Sequence, residues 1–278
     1  MKKGVFVVFL IFSLTFLFSL TALAGPVIDR ILQRGELIVG MSGDQPPLNV
    51  KTKDGKIIGL DVDLSRIMAD AMGVKLKIEN IPFSNLLPAL QAGKIDMILS
   101  NMTMTQTRNL KVAFVGPYFI SGKALLAKLD TIVSFSGTKD IDKSDFSMAV
   151  LKGSTSHVFV KQFVPKAKHV LTKSLDESLD LVIQGKVDAM VSDYPFCVVS
   201  AFRYKHKGLA TVKTPINFEP IGIALPPNDP LLINWVENLL TTLKTTNILM
   251  NLSKRWFEET SWLKRLPDTK DYTMLFQK

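Results

Sequence analysis

The chain has 278 residues, enough for one large or two modest domains with a buried core and no covalent staples. Hydrophobic residues make up 47% and charged residues 21%, with 16 Gly and 14 Pro, a balance that argues against fibrous, disulfide-scaffold and disordered classes. The formal net charge of +9 is spread along the chain, and its densest basic stretches, Lys51 to Lys56 and Arg203 to Lys207, are too short to read as nucleic-acid arms.

Mean hydropathy is +0.21, and much of the excess lies at the start. Lys2 and Lys3 form a basic n-region, Val5 to Leu20 is apolar apart from Ser13, Thr15 and Ser19, and Ala22-Leu23-Ala24 gives a small-x-small pattern. Residues 1–24 therefore read as a secretory signal peptide cleaved before Gly25, which predicts a periplasmic address. The competing reading, an uncleaved anchor, requires about 20 apolar residues, and the run falls short of that. No cysteine follows the cleavage site to carry a lipid. Cys197 stands alone in an apolar run, as a packed thiol does, so no disulfide framework is expected.

Helical and strand patterns alternate after the signal, which predicts an α/β protein. Leu37 to Met41 reads as a buried strand behind a short helix. Asp61 to Met72 carries Leu64, Ile67, Met68 and Met72 at helical spacing, with Asp61 or Asp63 placed to cap it and Gly73 to stop it. Val74, Leu76 and Ile78 alternate as in a strand. Ser84 is placed to cap a helix running to about Ala92, Gly93 to end it, and Ile95 to Leu99 to form the next strand.

That last unit occurs twice. Leu90 to Asn101 (LQAGKIDMILSN) and Val182 to Asp193 (VIQGKVDAMVSD) superpose at a shift of 92 residues, which suggests two lobes of similar build. Ligands of open α/β sheets sit beyond the carboxyl ends of strands, and Asn101 and Asp193 stand at two such predicted tips. Thr103 to Arg108 brings a hydroxyl, helix-start N–H groups and a guanidinium fork together, either as a carboxylate site or as a capping Thr and a surface Arg. Ser154 and Thr155 follow the predicted strand Ser147 to Leu151 and open a helix around His157 to Phe163. Asp193 is placed either to hold an ammonium group or to cap the helix at Tyr194-Pro195. Phe83, Tyr118 and Tyr194 are rings beside turns, able to stack on a ligand or to pack locally. His157, His169 and His206 lack metal-ligand spacing, and no phosphate-loop, nucleophile-elbow or metalloprotease motif is present; no metal or cofactor is expected.

These residues resemble the family 3 extracellular solute-binding proteins, periplasmic receptors for polar amino acids that feed ABC importers. The resemblance spans nearly all of the chain after the signal. It is most specific at Gly59-Leu60-Asp61-Val62-Asp63-Leu64 through Met72. Beside that stretch stand Leu86 to Asp96, Thr103 to Arg108, Phe114-Val115-Gly116-Pro117-Tyr118 followed by Ser121-Gly122, and Gly222-Ile223-Ala224-Leu225-Pro226. It implies a two-lobed, type II periplasmic binding protein fold with a ligand cleft between the lobes. Lobe 1 would comprise residues 25–118 and 222–278 with C-terminal helices, the hinge strands 119–122 and 217–221, and lobe 2 residues 123–216.

By position, Arg108 and Thr103 resemble the ligand-carboxylate clamp, assisted by Ser154 and Thr155. Asp193 resembles the acceptor for an α-ammonium, helped by the main chain of Asn101, and Phe83 the ring against the ligand. Ser42 stands where relatives often place an Asp, Gln45 where they often place an aromatic, and Asn101 where a small residue is common. Those departures leave side-chain specificity open. The implied function is non-enzymatic: a monomer that closes on an amino acid or similar small amino/carboxylate solute and docks on an ABC permease, with no nucleic-acid partner. Two other functions are compatible with the resemblance, a periplasmic cyclohexadienyl dehydratase-like enzyme, which needs a general acid in the cleft, and a receptor for a signalling partner. Trp262 and Leu266, at helical spacing, predict that the C-terminal segment braces lobe 1.

Overall fold

A computed structural model describes residues 27–268; the expected signal segment and the last ten residues lie outside the described residues. Strands in chain order are β1 Glu36–Met41, β2 Asp44–Gln45, β3 Asn49–Lys51, β4 Ile57–Ile58, β5 Lys75–Asn80, β6 Met97–Ile98 and β7 Ala113–Ser121. They continue as β8 Lys123–Lys128, β9 Ser147–Leu151, β10 Lys168–Thr172, β11 Ala189–Asp193, β12 Leu209–Thr211 and β13 Glu219–Leu225. Two five-stranded sheets carry the molecule, ordered β5-β1-β6-β13-β7 and β10-β9-β11-β8-β12. Their plans coincide. In each, the second strand pairs in parallel with two neighbours (β1 with β5 and β6, β9 with β10 and β11), and two antiparallel strands complete the other side. A small meander, β2-β3-β4, stands beside the first sheet.

Burial follows the apolar pattern. Leu37, Val39 and Met41 of β1 are fully buried, as are Leu60, Leu64 and Met68 along one side of the helix Leu60–Met72. Gly73 stops that helix in the left-handed conformation, as its position predicts. The start differs from the sequence reading: Gly59 is the N-cap, with no side-chain cap. Asp63 instead accepts from the Trp256 indole. Asp61 is drawn inward, where its carboxylate accepts from Asn49 Nδ2 (2.7 Å), Tyr118 Oη (2.7 Å) and the Asn101 amide (3.2 Å). Satisfying three buried donors outcompetes a solvent-facing cap.

Ser84 is likewise no cap. The helix Phe83–Gln91 begins after Pro82, whose fixed φ suits the turn, and the Ser84 hydroxyl turns to Asn85. β6 is only two residues long, because Asp96 takes the Ile38 amide through its side chain and the ladder with β1 is confined to Met97 and Ile98. Cys197 is fully buried, and burial pushes its thiol well above the usual range. The last described residues join the core of the first lobe: Trp256, Trp262 and Leu266 are buried there, with the two indoles 5.7 Å apart. Asp229 caps the helix Pro230–Thr245 and also accepts from the Ile28 amide, tying the first described helix to this late segment. Among the described residues no helix is long and apolar enough to cross a membrane.

The chain leaves the first sheet through β7 and enters the second through β8, with Gly122 between them, and it returns into β13. The two passages run side by side: Glu219 pairs with Ser121, and the Lys123 amide donates to Asn217 Oδ1 at 2.7 Å. A Cβ on Gly122 would lie 1.9 Å from the Asn217 carbonyl oxygen and 2.7 Å from Pro215 Cβ. Gly122→Ala must therefore spread the crossover, at an expected cost of about 1–3 kcal/mol. Urea unfolding of the variant checks this, and a midpoint equal to that of the parent would show that the crossover yields without strain.

Candidate functional site

The carboxyl ends of β6 and β11 face each other across the gap between the sheets. Asn101, just beyond β6, holds φ at 49°, a left-handed conformation that Asn tolerates better than most residues. Asp61 fixes it there by accepting its amide. The Asn101 Nδ2 group then donates to Gln45 Oε1 and to Asp193 Oδ2, each at 2.7 Å. The latter bond crosses the cleft and joins the two residues that the 92-residue internal repeat makes equivalent. Both amide hydrogens are thereby used, and Asn101 Oδ1 is a buried acceptor with no partner among the described residues.

Asp193 occupies the N-cap position of the helix Tyr194–Arg203 but makes no side-chain cap bond. Its carboxylate faces the cleft, where Lys123 Nζ meets Oδ1 at 2.6 Å. Lys123 also stands 3.0 Å from Glu219 Oε2. That oxygen accepts from Thr103 Oγ1 at 2.8 Å and Thr155 Oγ1 at 2.7 Å, one hydroxyl from each side of the cleft. Burial pushes the Glu219 carboxyl up; Lys123 and the two hydroxyls outweigh it, and the net shift is below the usual range. Arg108 donates to the carbonyls of Thr103 (2.8 Å) and Gly153 (3.1 Å), spanning the cleft, and lies 5.6 Å from the Phe83 ring centroid. Burial lowers its pKa, while Glu219 and Asp193 act in the opposite direction; guanidinium stays charged at any ordinary pH.

A cavity of about 10 Å³ lies between the strand tips, lined by Gln45, Phe83, Asn101, Thr103, Ser154, Thr155 and Asp193 among others. It holds about one water, so a larger ligand requires the lobes to part. A groove of about 510 Å³ opens beside it, sharing Ser154 and Thr155 and reaching Arg108 and Glu219. The groove is larger and takes in Arg108 and Glu219, whereas the cavity is where Asp193 meets the amide and hydroxyl groups. Ser154 caps the helix Thr155–Phe163 by accepting from the His157 amide. Ser42 stands behind Gln45, accepting from its Nε2 at 3.3 Å. Tyr194 points away and donates to the Lys213 carbonyl, and Tyr118 serves Asp61 in the core. A further cross-cleft contact comes from Asp44, whose Oδ2 accepts the Leu175 amide at the start of the helix Leu175–Ile183; burial raises its pKa.

Lys123, Glu219 and Asp61 were not singled out by sequence reasoning for this site. One signal was available: a lysine at the head of the buried run Ala124 to Ala127, and a glutamate before Ile221 to Leu225, are charges adjoining strands with no exposed face.

Two α/β lobes with matching sheets, crossed by two adjacent chain passages and meeting at a polar cleft, define a two-lobed binding-protein fold of type II. Residues 37–259 match the bacterial extracellular solute-binding proteins, family 3, and the chain belongs to that family. It is 30% identical over 244 residues to the arginine-binding periplasmic protein of Mannheimia haemolytica, covering 85% of this chain and 96% of that one. It is 23% identical over 231 residues to cyclohexadienyl dehydratase of Pseudomonas aeruginosa, covering 83% and 86%. Among solved structures, an ABC transporter binding component from Wolinella succinogenes complexed with lysine superposes with a TM-score of 0.79 at 36% identity, covering 83% of this chain and 99% of the other.

Proposed function

We propose that this chain is the periplasmic substrate-binding component of an ABC importer, that it binds an α-amino acid between its lobes, and that it catalyses no reaction. The observation that carries the reading is the pairing, at one cavity, of a carboxylate with an unpartnered amide oxygen: Asp193 and Asn101 Oδ1 are acceptors suited to an α-ammonium. Opposite them, Arg108 and the start of the helix Thr155–Phe163 supply donors for an α-carboxylate, with Ser154 at the turn. Thr103 and Thr155 face Glu219 in this structure, so a ligand carboxylate takes their hydroxyls over from Glu219. Phe83 lies against the ligand, and Ser42 steadies Gln45 at its edge.

The lobes pivot about 119–122 and 217–221, lobe 2 being 123–216. A ligand that touches both lobes favours the closed arrangement by a population shift, and the closed form docks on the permease. Catalysis of the dehydratase kind requires a proton donor in the cleft. Glu219, with its pKa held low beside Lys123, is poorly suited to that role at neutral pH. The test is a thermal-shift screen of ligand-stripped protein against the twenty amino acids and a set of dicarboxylates. One amino acid at 100 times its Kd should add about 2.7 kcal/mol and raise Tm by several degrees. Silence across all amino acids, or turnover of prephenate or arogenate, would overturn the proposal.

A further inference from the structure

Lys123 opens β8 one residue after the crossover glycine, and its side chain is 1% exposed. Its ammonium bridges Asp193 and Glu219, two carboxylates that would otherwise give the cleft a doubly negative wall. With Arg108 acting electrostatically on the same two acids, two positive and two negative side chains converge, and these four groups balance one another before a ligand enters.

That balance discriminates among amino acids. The backbone of any α-amino acid brings one positive and one negative group and leaves the sum at zero. A cationic side chain brings one more positive charge into a desolvated cleft whose two acids already share Lys123, and like charges brought together there are costly. The residues lining the rest of the cavity, Gln45, Leu151, Ser156, Leu175 and Ser192, offer amide, hydroxyl and apolar groups and no second carboxylate; Asp44, whose Oδ2 is taken by the Leu175 amide, lies outside that lining. We propose that Lys123 sets the charge class of the ligand: by lending its ammonium to Asp193 and Glu219, it turns the cleft away from amino acids with cationic side chains and toward those with uncharged ones. This inference rests on the reading of the cleft as an α-amino-acid site. It sets the chain apart from the proteins named above for arginine or lysine.

The experiment is calorimetric titration of the full chain, unfolded and refolded to remove carried-over ligand, with each of the twenty amino acids, repeated on Lys123→Met. The parent protein is expected to prefer an uncharged amino acid over lysine and arginine by about 100-fold or more. In Lys123→Met, whose cleft regains a net negative charge, arginine or lysine is expected to bind at least about tenfold tighter than to the parent. A purely structural lysine would weaken all ligands together and leave their ratio unchanged, so an unchanged ratio in the folded variant overturns the inference. Lysine or arginine among the tightest ligands of the parent overturns it too, and that measurement decides the matter even if Lys123→Met does not fold. A parent that binds no amino acid at all sinks the underlying reading, a result distinct from tight binding of a cationic one.

Discussion

Asp193→Ala is expected to weaken ligand binding by about 2–5 kcal/mol, a factor of roughly 30 to several thousand in Kd. Three effects coincide at this side chain. The ligand ammonium loses its carboxylate acceptor, the Asn101 amide loses its partner across the cleft, and Lys123 is left buried with Glu219 alone. The first raises the energy of the bound complex directly; the second withdraws a contact made only when the lobes are together. Asp193→Asn separates them, since it keeps an oxygen for Asn101 while removing the charge, and its loss should fall between the parent and the alanine variant. Calorimetry with the amino acid found by the screen checks the series. Parent affinity in a folded Asp193→Ala protein would remove Asp193 from the clamp.

The second large effect concerns pH. Asp61 is fully enclosed, and burial raises its carboxyl from 3.8 to about 6, against the pull of Tyr118, Asn49 and the Asn101 amide. The folded protein thus retains a proton over a window in which the unfolded chain has already released it. The contribution of Asp61 to stability must fall as pH rises from about 4 to about 6, by about 3 kcal/mol at ~1.4 kcal/mol per pH unit, and level off above. Asp61→Asn removes this titration while keeping an oxygen for Asn49 and Asn101. Its stability relative to the parent should therefore climb through that window. Urea unfolding of both proteins at pH 4, 5, 6 and 7 measures the difference, which isolates Asp61 from the other acids; parallel curves would contradict the assignment.

Much of this architecture was legible in the sequence. The strand Ser147–Leu151 and the stop at Gly73 follow from apolar runs and a left-handed glycine, both local properties. The twin strand tips were visible because the repeat preserves Gly-Lys-aliphatic-Asp and the polar residue after the strand. Caps were harder. Asp61 has the right residue type and place for a first-turn carboxylate, and only the fold shows that Asn49, Tyr118 and Asn101, far apart in sequence, all need its oxygens. Lys123 and Glu219 were missed for the same reason, since a buried charge is explained by partners that a linear pattern does not display. The resemblance supplied the clamp residues, and none of its motifs marked the pair of charges beside the crossover.

Asn101 and Asp193 are each other's counterparts in the internal repeat, and they meet across the cleft. A residue that meets its own counterpart from a second copy occupies the place of a residue on a two-fold axis, and in a dimer of identical chains both sides would be the same. Two aspartates there would repel, and two asparagines would offer a ligand no charge. Because both copies lie in one polypeptide, the axis position is free to become unlike on its two sides, an amide facing a carboxylate. The bond between an amide donor and a carboxylate acceptor at these matched positions is one that two identical tips could not make.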